Sequence, residues 1–81
     1  MKIVIYTKDK CPNCVTAKQL MTANNLQFEE RDINMSQHAF EFHATFPNVR
    51  QMPQILVNDM LIGGVTGLKT YLPQILKMAQ K

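Results

Sequence analysis

The chain has 81 residues, of which 46% are apolar and 19% are charged, and its formal net charge is +3 at pH 7. Two domains would each fall below the roughly 50 residues of an ordinary domain, so residues 1–81 are predicted to form one domain. The apolar content is too high for a disordered segment. No apolar run approaches the ~18 residues that cross a bilayer, which favours a globular protein.

Charge is distributed unevenly along the chain. Residues 1–28 contain four lysines and one acidic residue, whereas residues 29–45 contain four acidic residues and one arginine. A nucleic-acid-binding domain normally clusters Lys and Arg on one face beside a recognition motif, and this pattern does not indicate one. We expect a monomer with neither nucleic acid nor a membrane as its partner.

The start of the chain does not have the pattern of a secretion signal. Residues 1–6 are mainly apolar, but Lys8, Asp9 and Lys10 interrupt them before they reach the roughly 7–15 residues of a signal-peptide core. The expected location is therefore the cytoplasm.

The first half of the chain predicts a strand, a helix and a second strand. Residues 2–7 are rich in β-branched and aromatic types, which is typical of a buried strand. Pro12 suits the first turn of a helix, and that helix is predicted to run to about Asn25 with one apolar face turned inward. Weaker strand signals follow in residues 26–33.

A short helix and a hairpin are predicted next. Ser36 is expected to be the N-cap of a helix that ends near Phe46. Residues 53–57 and 60–62 are apolar runs on either side of the polar pair Asn58–Asp59, a pattern typical of a β-hairpin.

The last predicted element is a helix over residues 66–81. Pro73 lies within it and predicts a kink or break near Tyr71–Leu72, because proline lacks an N–H and clashes with the preceding turn. The element order β-α-β-α-β-β-α then indicates an α/β fold. Its first two strands would be parallel, and the hairpin would complete a mixed four-stranded sheet covered by three helices.

Cys11 and Cys14 are the only cysteines in the chain. A bridge between residues three apart closes too small a loop to constrain the unfolded chain, so it would be a poor structural staple. A strand followed by Cys-x-x-Cys at the start of a helix is typical of a redox centre. A metal clip and an inert buried pair are the alternatives, but a clip would need ligands from elsewhere and we expect no metal.

The position of Cys11 at a helix start predicts a reactive sulfur. Unpaired backbone N–H groups and the positive end of the helix dipole stabilise a thiolate there, and Lys8 and Lys10 add positive charge. The pKa of Cys11 is therefore expected to lie below that of a free cysteine. Cys14, one turn further and on the apolar face, is expected to stay protonated.

Two histidines, His38 and His43, are the remaining candidates for chemistry. They are five residues apart, so they do not share one face of a helix at the three- or four-residue step. Both are expected to be exposed helix residues rather than metal ligands.

Four short motifs together resemble a glutaredoxin over nearly the whole chain. These are Tyr6-Thr7-Lys8, Cys11-Pro12-Asn13-Cys14, Met52-Pro53-Gln54-Ile55 and Ile62-Gly63-Gly64, in the order and at the spacing of that family. The resemblance implies a thioredoxin-like fold and an enzyme that reduces protein disulfides and glutathione mixed disulfides. It also implies glutathione as the reductant or co-substrate.

The resemblance assigns roles to particular residues. Cys11 resembles the nucleophile of the family, Cys14 its resolving thiol, and Lys8 a lysine that contacts the glycine carboxylate of glutathione. Met52-Pro53 resembles a cis-proline step whose backbone pairs with the ligand like an added strand. A proline that simply opens a strand is the alternative for Pro53.

Further glutathione contacts are implied after the hairpin. Gly63 and Gly64 lack Cβ atoms, which would let a ligand approach the backbone N–H groups of Thr66 and Gly67, and those groups would hold the γ-glutamyl carboxylate. Gly63–Gly64 could instead serve only to end the strand.

Two positions depart from the family pattern. Asn13 stands where most members have Tyr, so an aromatic wall beside the sulfur is lost. Gly67 stands where many have an acidic residue that pairs with the amino group of glutathione. Installing that carboxylate as Gly67→Asp is expected to lower the Michaelis constant for glutathione.

These departures keep two other functions open. One is a glutaredoxin-like redoxin reduced by thioredoxin reductase rather than glutathione, with ribonucleotide reductase as a candidate electron acceptor in either case. The other is a non-enzymatic dimeric iron–sulfur or zinc module that uses Cys11 from two chains.

Overall fold

The computed structural model describes residues 1–79, which form four strands and three helices in the predicted order. The elements are β1 (Ile3–Thr7), α1 (Pro12–Ala23), β2 (Glu29–Asp32), α2 (Ser36–Thr45), β3 (Gln54–Val57), β4 (Met60–Gly63) and α3 (Val65–Ala79). The last two residues of the helix predicted over 66–81 lie outside the described residues. None of the described helices is long and apolar enough to cross a membrane.

The four strands form one mixed sheet in the order β2-β1-β3-β4. β1 pairs in parallel with β2 and antiparallel with β3, and β3 pairs antiparallel with β4. The predicted mixed sheet of a parallel pair and a hairpin is therefore confirmed. Because β1 is central and all five of its residues are buried, its carboxyl end lies in the middle of one edge of the sheet.

Each face of the sheet is covered by its own apolar cluster. Ile3 and Ile5 of β1 belong to one cluster, while Val4 and Tyr6 belong to the other, as expected from the alternation of side chains along a strand. The first cluster includes residues of α1 and α3, and the second includes Phe42 of α2 together with both cysteines. The reactive centre therefore lies on the α2 face.

Helix α1 begins and ends close to the predicted residues. Pro12 is its first residue, and Asn24 caps its end two residues before the predicted limit, with the Asn24 side chain donating to the Leu20 carbonyl at 2.8 Å. Asn25 has a left-handed φ of 59°, which asparagine tolerates better than most residues. The Leu26 N–H then donates to the Met21 carbonyl at 3.0 Å, so β2 starts later than predicted.

The start of helix α2 differs from the prediction. Met35 is the N-cap, it makes no side-chain capping bond, and Ser36 is the first helical residue. The turn before the helix is organised by Asp32 instead. Its side chain accepts the N–H of Asn34 at 2.9 Å, and its backbone carbonyl accepts the N–H of Met35 at 3.1 Å. The polar residue that shapes this helix start thus lies outside the helix.

Helix α3 passes through Pro73, so the predicted break is wrong. Proline has no N–H, so Pro73 cannot donate a hydrogen bond to the Lys69 carbonyl. Both residues are exposed, so solvent can hydrogen-bond to that carbonyl instead. Packing of Leu68 and Ile75, which are 0% and 1% exposed, holds the segments before and after the proline on the same core.

Candidate active site

Cys11 lies at the junction between the central strand and helix α1. A turn at Asp9 and Lys10 follows β1, Cys11 is the N-cap of α1, and Pro12 is the first helical residue. The Cys11 Sγ accepts the backbone N–H of Cys14 at 3.1 Å. The sequence prediction that this sulfur faces the first-turn amides of a helix is therefore confirmed in the geometry.

Cys11 and Cys14 are joined by a disulfide, with their Cα atoms 5.2 Å apart. Only 8% of Cys11 and 3% of Cys14 are exposed. Both belong to the cluster under α2, so the pair has a buried side and an outer side. Two grooves lie beside the helix start at this pair.

One of these grooves is uncharged, and we call it the carboxamide groove. Its volume is about 430 Å³, and its lining residues are Asn13, Gln51, Met52, Pro53, Gln54, Gly64, Val65 and Thr66. The Met52–Pro53 peptide bond is cis, and the Met52 carbonyl oxygen lies 3.7 Å from the Cys11 Sγ. The Gln54 side chain donates to the Gln51 carbonyl at 2.8 Å and is held in place by that bond. The groove thus brings a backbone carbonyl close to the sulfur.

Glycine is found at positions 63 and 64, behind this groove, for two different structural reasons. Gly63 has a φ of +97° with open space around it, so the backbone conformation requires glycine. A Cβ on Gly64 would lie 3.1 Å from the Pro53 carbonyl oxygen, so Gly64 lets the hairpin end pack against the cis-proline loop. Backbone conformation explains Gly63 and an internal contact explains Gly64, in each case without a ligand.

Gly67 leaves no room for a side chain. A Cβ there would lie 1.7 Å from the backbone carbonyl oxygen of Ile62, and no positive φ is involved. This contact argues against the expectation that Gly67→Asp would improve glutathione binding, because the substitution would displace backbone before any carboxylate could reach a ligand. The absence of the family's acidic residue follows from the close contact between β4 and α3.

The first turn of α3 lies along the same groove. Leu68 donates its N–H to the Gly64 carbonyl at 2.9 Å, which is the first i to i−4 hydrogen bond of the helix. The N–H groups of Thr66 and Gly67 come before it and have no carbonyl partner of this kind. Thr66 is exposed and lines the groove. Unpaired amides at a helix start attract anions.

The second groove is lined by both cysteines, and we call it the lysine groove. Its volume is about 580 Å³, and its lining residues are Thr7, Lys8, Asp9, Lys10, Cys11, Pro12, Cys14, Val15, Lys18, Glu30 and Asp32. Lys18 pairs with Glu30 at 3.1 and 3.2 Å, and the Thr7 hydroxyl donates to Glu30 at 2.9 Å. Lys8 and Lys10 form no salt bridge within the described residues.

The predicted site residues are thus divided between two grooves. The structure brings five of them together in the carboxamide groove, namely Asn13, Met52, Pro53, Gly64 and Thr66. Lys8 lines the lysine groove beside Cys11 and Cys14, and Gly67 lines neither groove.

Gln51, Gln54, Lys18 and Glu30 also line these grooves and were not predicted. The two glutamines could have been predicted, because they are adjacent in the chain to Met52-Pro53. No sequence pattern linked Lys18 and Glu30, because their contact depends on how α1 packs beside β2.

A separate cluster of charges surrounds Tyr6, away from the sulfurs. The Arg31 guanidinium donates to the Tyr6 hydroxyl at 2.8 Å and to Glu29, and it lies over the Tyr6 ring. The hydrogen bond from Arg31 holds the pKa of the exposed Glu29 carboxyl below its usual value, while the bonds to Glu29 and Tyr6 raise the pKa of Arg31. Neither Arg31 nor Glu29 lines the two grooves described above, whereas Tyr6 packs in the same apolar cluster as both cysteines.

The two histidines differ in exposure. His43 is exposed, as predicted, and its ring packs edge-on against Phe42 at 5.6 Å. His38 is half-buried, and its Nδ1 lies 3.2 Å from the Asp32 carbonyl oxygen, so the prediction that it is exposed is wrong. Within residues 1–79, no group of three or more His, Cys, Asp and Glu side chains could hold a metal ion.

Comparison with known proteins matches this geometry to one family. The glutaredoxin family model matches residues 3–62. A protein named glutaredoxin 1 from Rickettsia conorii is 34% identical over 68 residues, which cover 82% of this chain and 67% of the relative.

Two solved structures support the same assignment. Glutaredoxin 1 from Francisella tularensis, complexed with cacodylate, superposes with a TM-score of 0.79 at 35% identity and covers 94% of this chain and 96% of its own. The glutaredoxin-like protein NrdH-redoxin from Escherichia coli superposes with a TM-score of 0.66 at 28% identity and covers 79% and 83%. The predicted thioredoxin-like fold is confirmed. The chain belongs to the glutaredoxin family, and its Cys11–Cys14 pair is the redox-active dithiol of a disulfide oxidoreductase.

Proposed function

We propose that this protein is a glutathione-dependent disulfide oxidoreductase in which Cys11 is the nucleophile and Cys14 the resolving thiol. One observation carries the assignment of roles. The Cys11 Sγ accepts a first-turn amide of α1 at 3.1 Å, whereas Cys14 lies one turn further into the helix, and both cysteines are buried. The N-terminus of a helix favours a thiolate, so the reduced protein would carry its thiolate on Cys11.

The reaction then proceeds in two exchanges. The Cys11 thiolate attacks one sulfur of a substrate disulfide, a mixed disulfide forms, and the other sulfur leaves with the electron pair as a thiolate. Cys14 loses its proton to solvent and attacks the Cys11 sulfur, which releases the second substrate thiolate. The protein is left with the Cys11–Cys14 disulfide, having given two electrons to the substrate, and glutathione would return it to the dithiol.

The carboxamide groove is the proposed seat of the glutathionyl group. The ligand's cysteine would pair with the backbone of Met52, whose carbonyl lies 3.7 Å from the Cys11 Sγ. Its γ-glutamyl carboxylate would accept from the first-turn amides of Thr66 and Gly67, while Asn13 and Gly64 line the space between. Lys8, across the disulfide, would contact the glycine carboxylate from the lysine groove.

A redoxin reduced by thioredoxin reductase is the second candidate. The likeness to NrdH-redoxin, described as having a thioredoxin-like activity profile, favours it at 28% identity. The uncharged positions Asn13 and Gly67 favour it as well, because they remove two contacts to glutathione that other members make. Ribonucleotide reductase remains a candidate acceptor under both proposals.

The remaining proposals concern setting and assembly. A dithiol that works in its reduced form fits the reducing cytoplasm, and we propose that the protein acts there as a monomer on disulfide-containing proteins. A dimeric iron–sulfur or zinc module is the non-enzymatic alternative. The absorption spectrum of anaerobically purified protein tests the iron–sulfur form of that alternative, because an iron–sulfur cluster absorbs visible light, whereas a dithiol and a zinc site do not.

Coupled turnover tests which reductant is used. A glutathionylated peptide is supplied as substrate, with NADPH and either glutathione plus glutathione reductase or thioredoxin reductase alone, and NADPH consumption is followed. Glutathione-dependent turnover that exceeds the thioredoxin-reductase rate supports the main proposal. The reverse ranking would transfer the assignment to the second candidate, and Cys11→Ser provides the blank in both arms.

A further inference from the structure

Lys10 has an unusual backbone conformation for its residue type. Four non-glycine residues in the described chain have a positive φ, and three of them are Asn25, Asn58 and Asp59. Asparagine and aspartate tolerate the left-handed region, but Lys10, with a φ of 53°, gains no such relief. Glycine or asparagine would fit this turn at a lower conformational cost.

The side chain of Lys10 makes no compensating contact in the structure. It is exposed, and within residues 1–79 it forms no salt bridge and no side-chain hydrogen bond. Packing or pairing inside the protein therefore does not account for a lysine at this position. Strained residues of this kind concentrate at functional sites.

The position of Lys10 relates it directly to the reactive sulfur. It precedes Cys11 in the chain and lines the lysine groove with both cysteines. The groove also contains Lys8, Asp9 and Asp32, and its Lys18 pairs with Glu30, so its cations and anions are equal in number. Lys10 is the cation that directly precedes Cys11 in the chain, and no carboxylate pairs with it within residues 1–79.

We propose that Lys10 is a specificity-determining residue that favours disulfides flanked by carboxylates. Its ammonium would attract such a substrate to the Cys11 side of the groove and stabilise its negative charge during the first exchange. The proposal rests on dithiol exchange at Cys11 and is independent of whether glutathione or a flavoprotein is the reductant.

Two small disulfides of different charge separate this role from a general effect on the thiol. Reduced full-length protein is mixed at pH 7 with dianionic dithiobis(nitrobenzoate) or with neutral dithiodipyridine. The Cys11 thiolate attacks either probe, an aryl thiolate leaves with the electron pair, and Cys14 displaces the second one. The rate constant for the neutral probe measures the reactivity of the thiolate itself. The ratio of the second-order rate constant for the dianionic probe to that for the neutral probe therefore measures the attraction of the anion.

The expected result is a change in that ratio with a gain in stability. Lys10→Asn and Lys10→Gly should lower the ratio about threefold at low salt, with a smaller change at high salt, whereas Lys10→Arg should retain it. Lys10→Asn should also raise the Tm by roughly 4 °C, since it suits the left-handed turn. Lys77→Gln removes a charge in the last turn of α3 and should leave the ratio unchanged.

Three outcomes would overturn the proposal. An unchanged ratio in Lys10→Asn would show that the charge does not select substrates. An equal fall in Lys77→Gln would assign the effect to net charge alone. A lower Tm in both Lys10→Asn and Lys10→Gly would remove the conformational argument. None of them would bear on the glutathione proposal, which the reductant comparison tests separately.

Discussion

The two grooves beside the disulfide are built from different chemistry. The carboxamide groove has no charged lining residue, and it places a backbone carbonyl 3.7 Å from the Cys11 sulfur. The lysine groove has six charged lining residues, three of each sign, of which Lys18 and Glu30 pair with each other. Cys11 lines the lysine groove and contacts the carboxamide groove through the Met52 carbonyl, so one sulfur is close to a surface shaped by backbone and to one shaped by charge.

This difference assigns separate tasks to the two sides. Hydrogen bonds to a fixed backbone depend on ligand shape and change little with salt, whereas exposed charges attract ligands over a longer range and are screened. A substrate would thus be oriented in the carboxamide groove and selected by charge in the lysine groove. Substitutions at the shared sulfur and in each groove separate these two contributions.

The largest expected effect comes from the shared sulfur. Cys11→Ser should reduce turnover of every disulfide to background, because attack requires the Cys11 thiolate. Cys14→Ser should retain reduction of glutathione mixed disulfides and lose reduction of protein disulfides, which need a second thiol to release the partner. Rates with a glutathionylated peptide and with a protein disulfide measure the difference. Equal losses in both variants on both substrates would contradict the assigned roles.

The close contact behind the carboxamide groove is the next test. Gly67→Ala should destabilise the fold by about 3 kcal/mol or more, because its Cβ would meet the Ile62 carbonyl and backbone would have to move. That corresponds to a Tm lower by roughly 12 °C or more. Gly64→Ala is the matched control, with its nearest contact at 3.1 Å, and should cost less. Equal Tm values for the two variants would show that Gly67 is not constrained in this way.

A charge placed in the uncharged groove tests the proposed carboxylate site. Thr66→Asp should raise the Michaelis constant for glutathione about tenfold, since its carboxylate would repel the γ-glutamyl carboxylate. The Tm should not fall, because an acidic residue in the first turn of α3 favours the helix dipole. Thr66→Asn controls for shape. A Michaelis constant that is the same for the Asp and Asn variants would place glutathione elsewhere.

The smallest effect is expected in the lysine groove. Glu30→Gln removes the ion pair with Lys18 but keeps a hydrogen-bond acceptor for Thr7, so stability should fall by about 0.2–1 kcal/mol at low salt. Denaturant unfolding at low and high salt measures this change, which should vanish at high salt. A loss that persists at high salt would mean that Glu30 acts through packing instead of charge.

The element order and the cysteine pair could be predicted from the sequence because they depend on neighbouring residues. The apolar run of residues 3–7, Pro12 at the helix start, and the turn pair Asn58–Asp59 each act within a few positions of the chain. The same holds for the Cys11 sulfur, whose amide partner is three residues away. Motif spacing then sufficed to indicate the family.

The tertiary structure alone decided which residues share a groove and which positions accept a side chain. Met52 approaches Cys11 across 41 residues, and Thr7, Lys18 and Glu30 meet only through the packing of α1 beside the sheet. The obstacle to Gly67→Asp has the same origin, since the Ile62 carbonyl blocks a Cβ that local pattern would allow. Continuation of α3 through Pro73 likewise depends on the burial of Leu68 and Ile75. Contacts between distant segments are governed by how whole elements pack, and residue type at one position does not encode that packing.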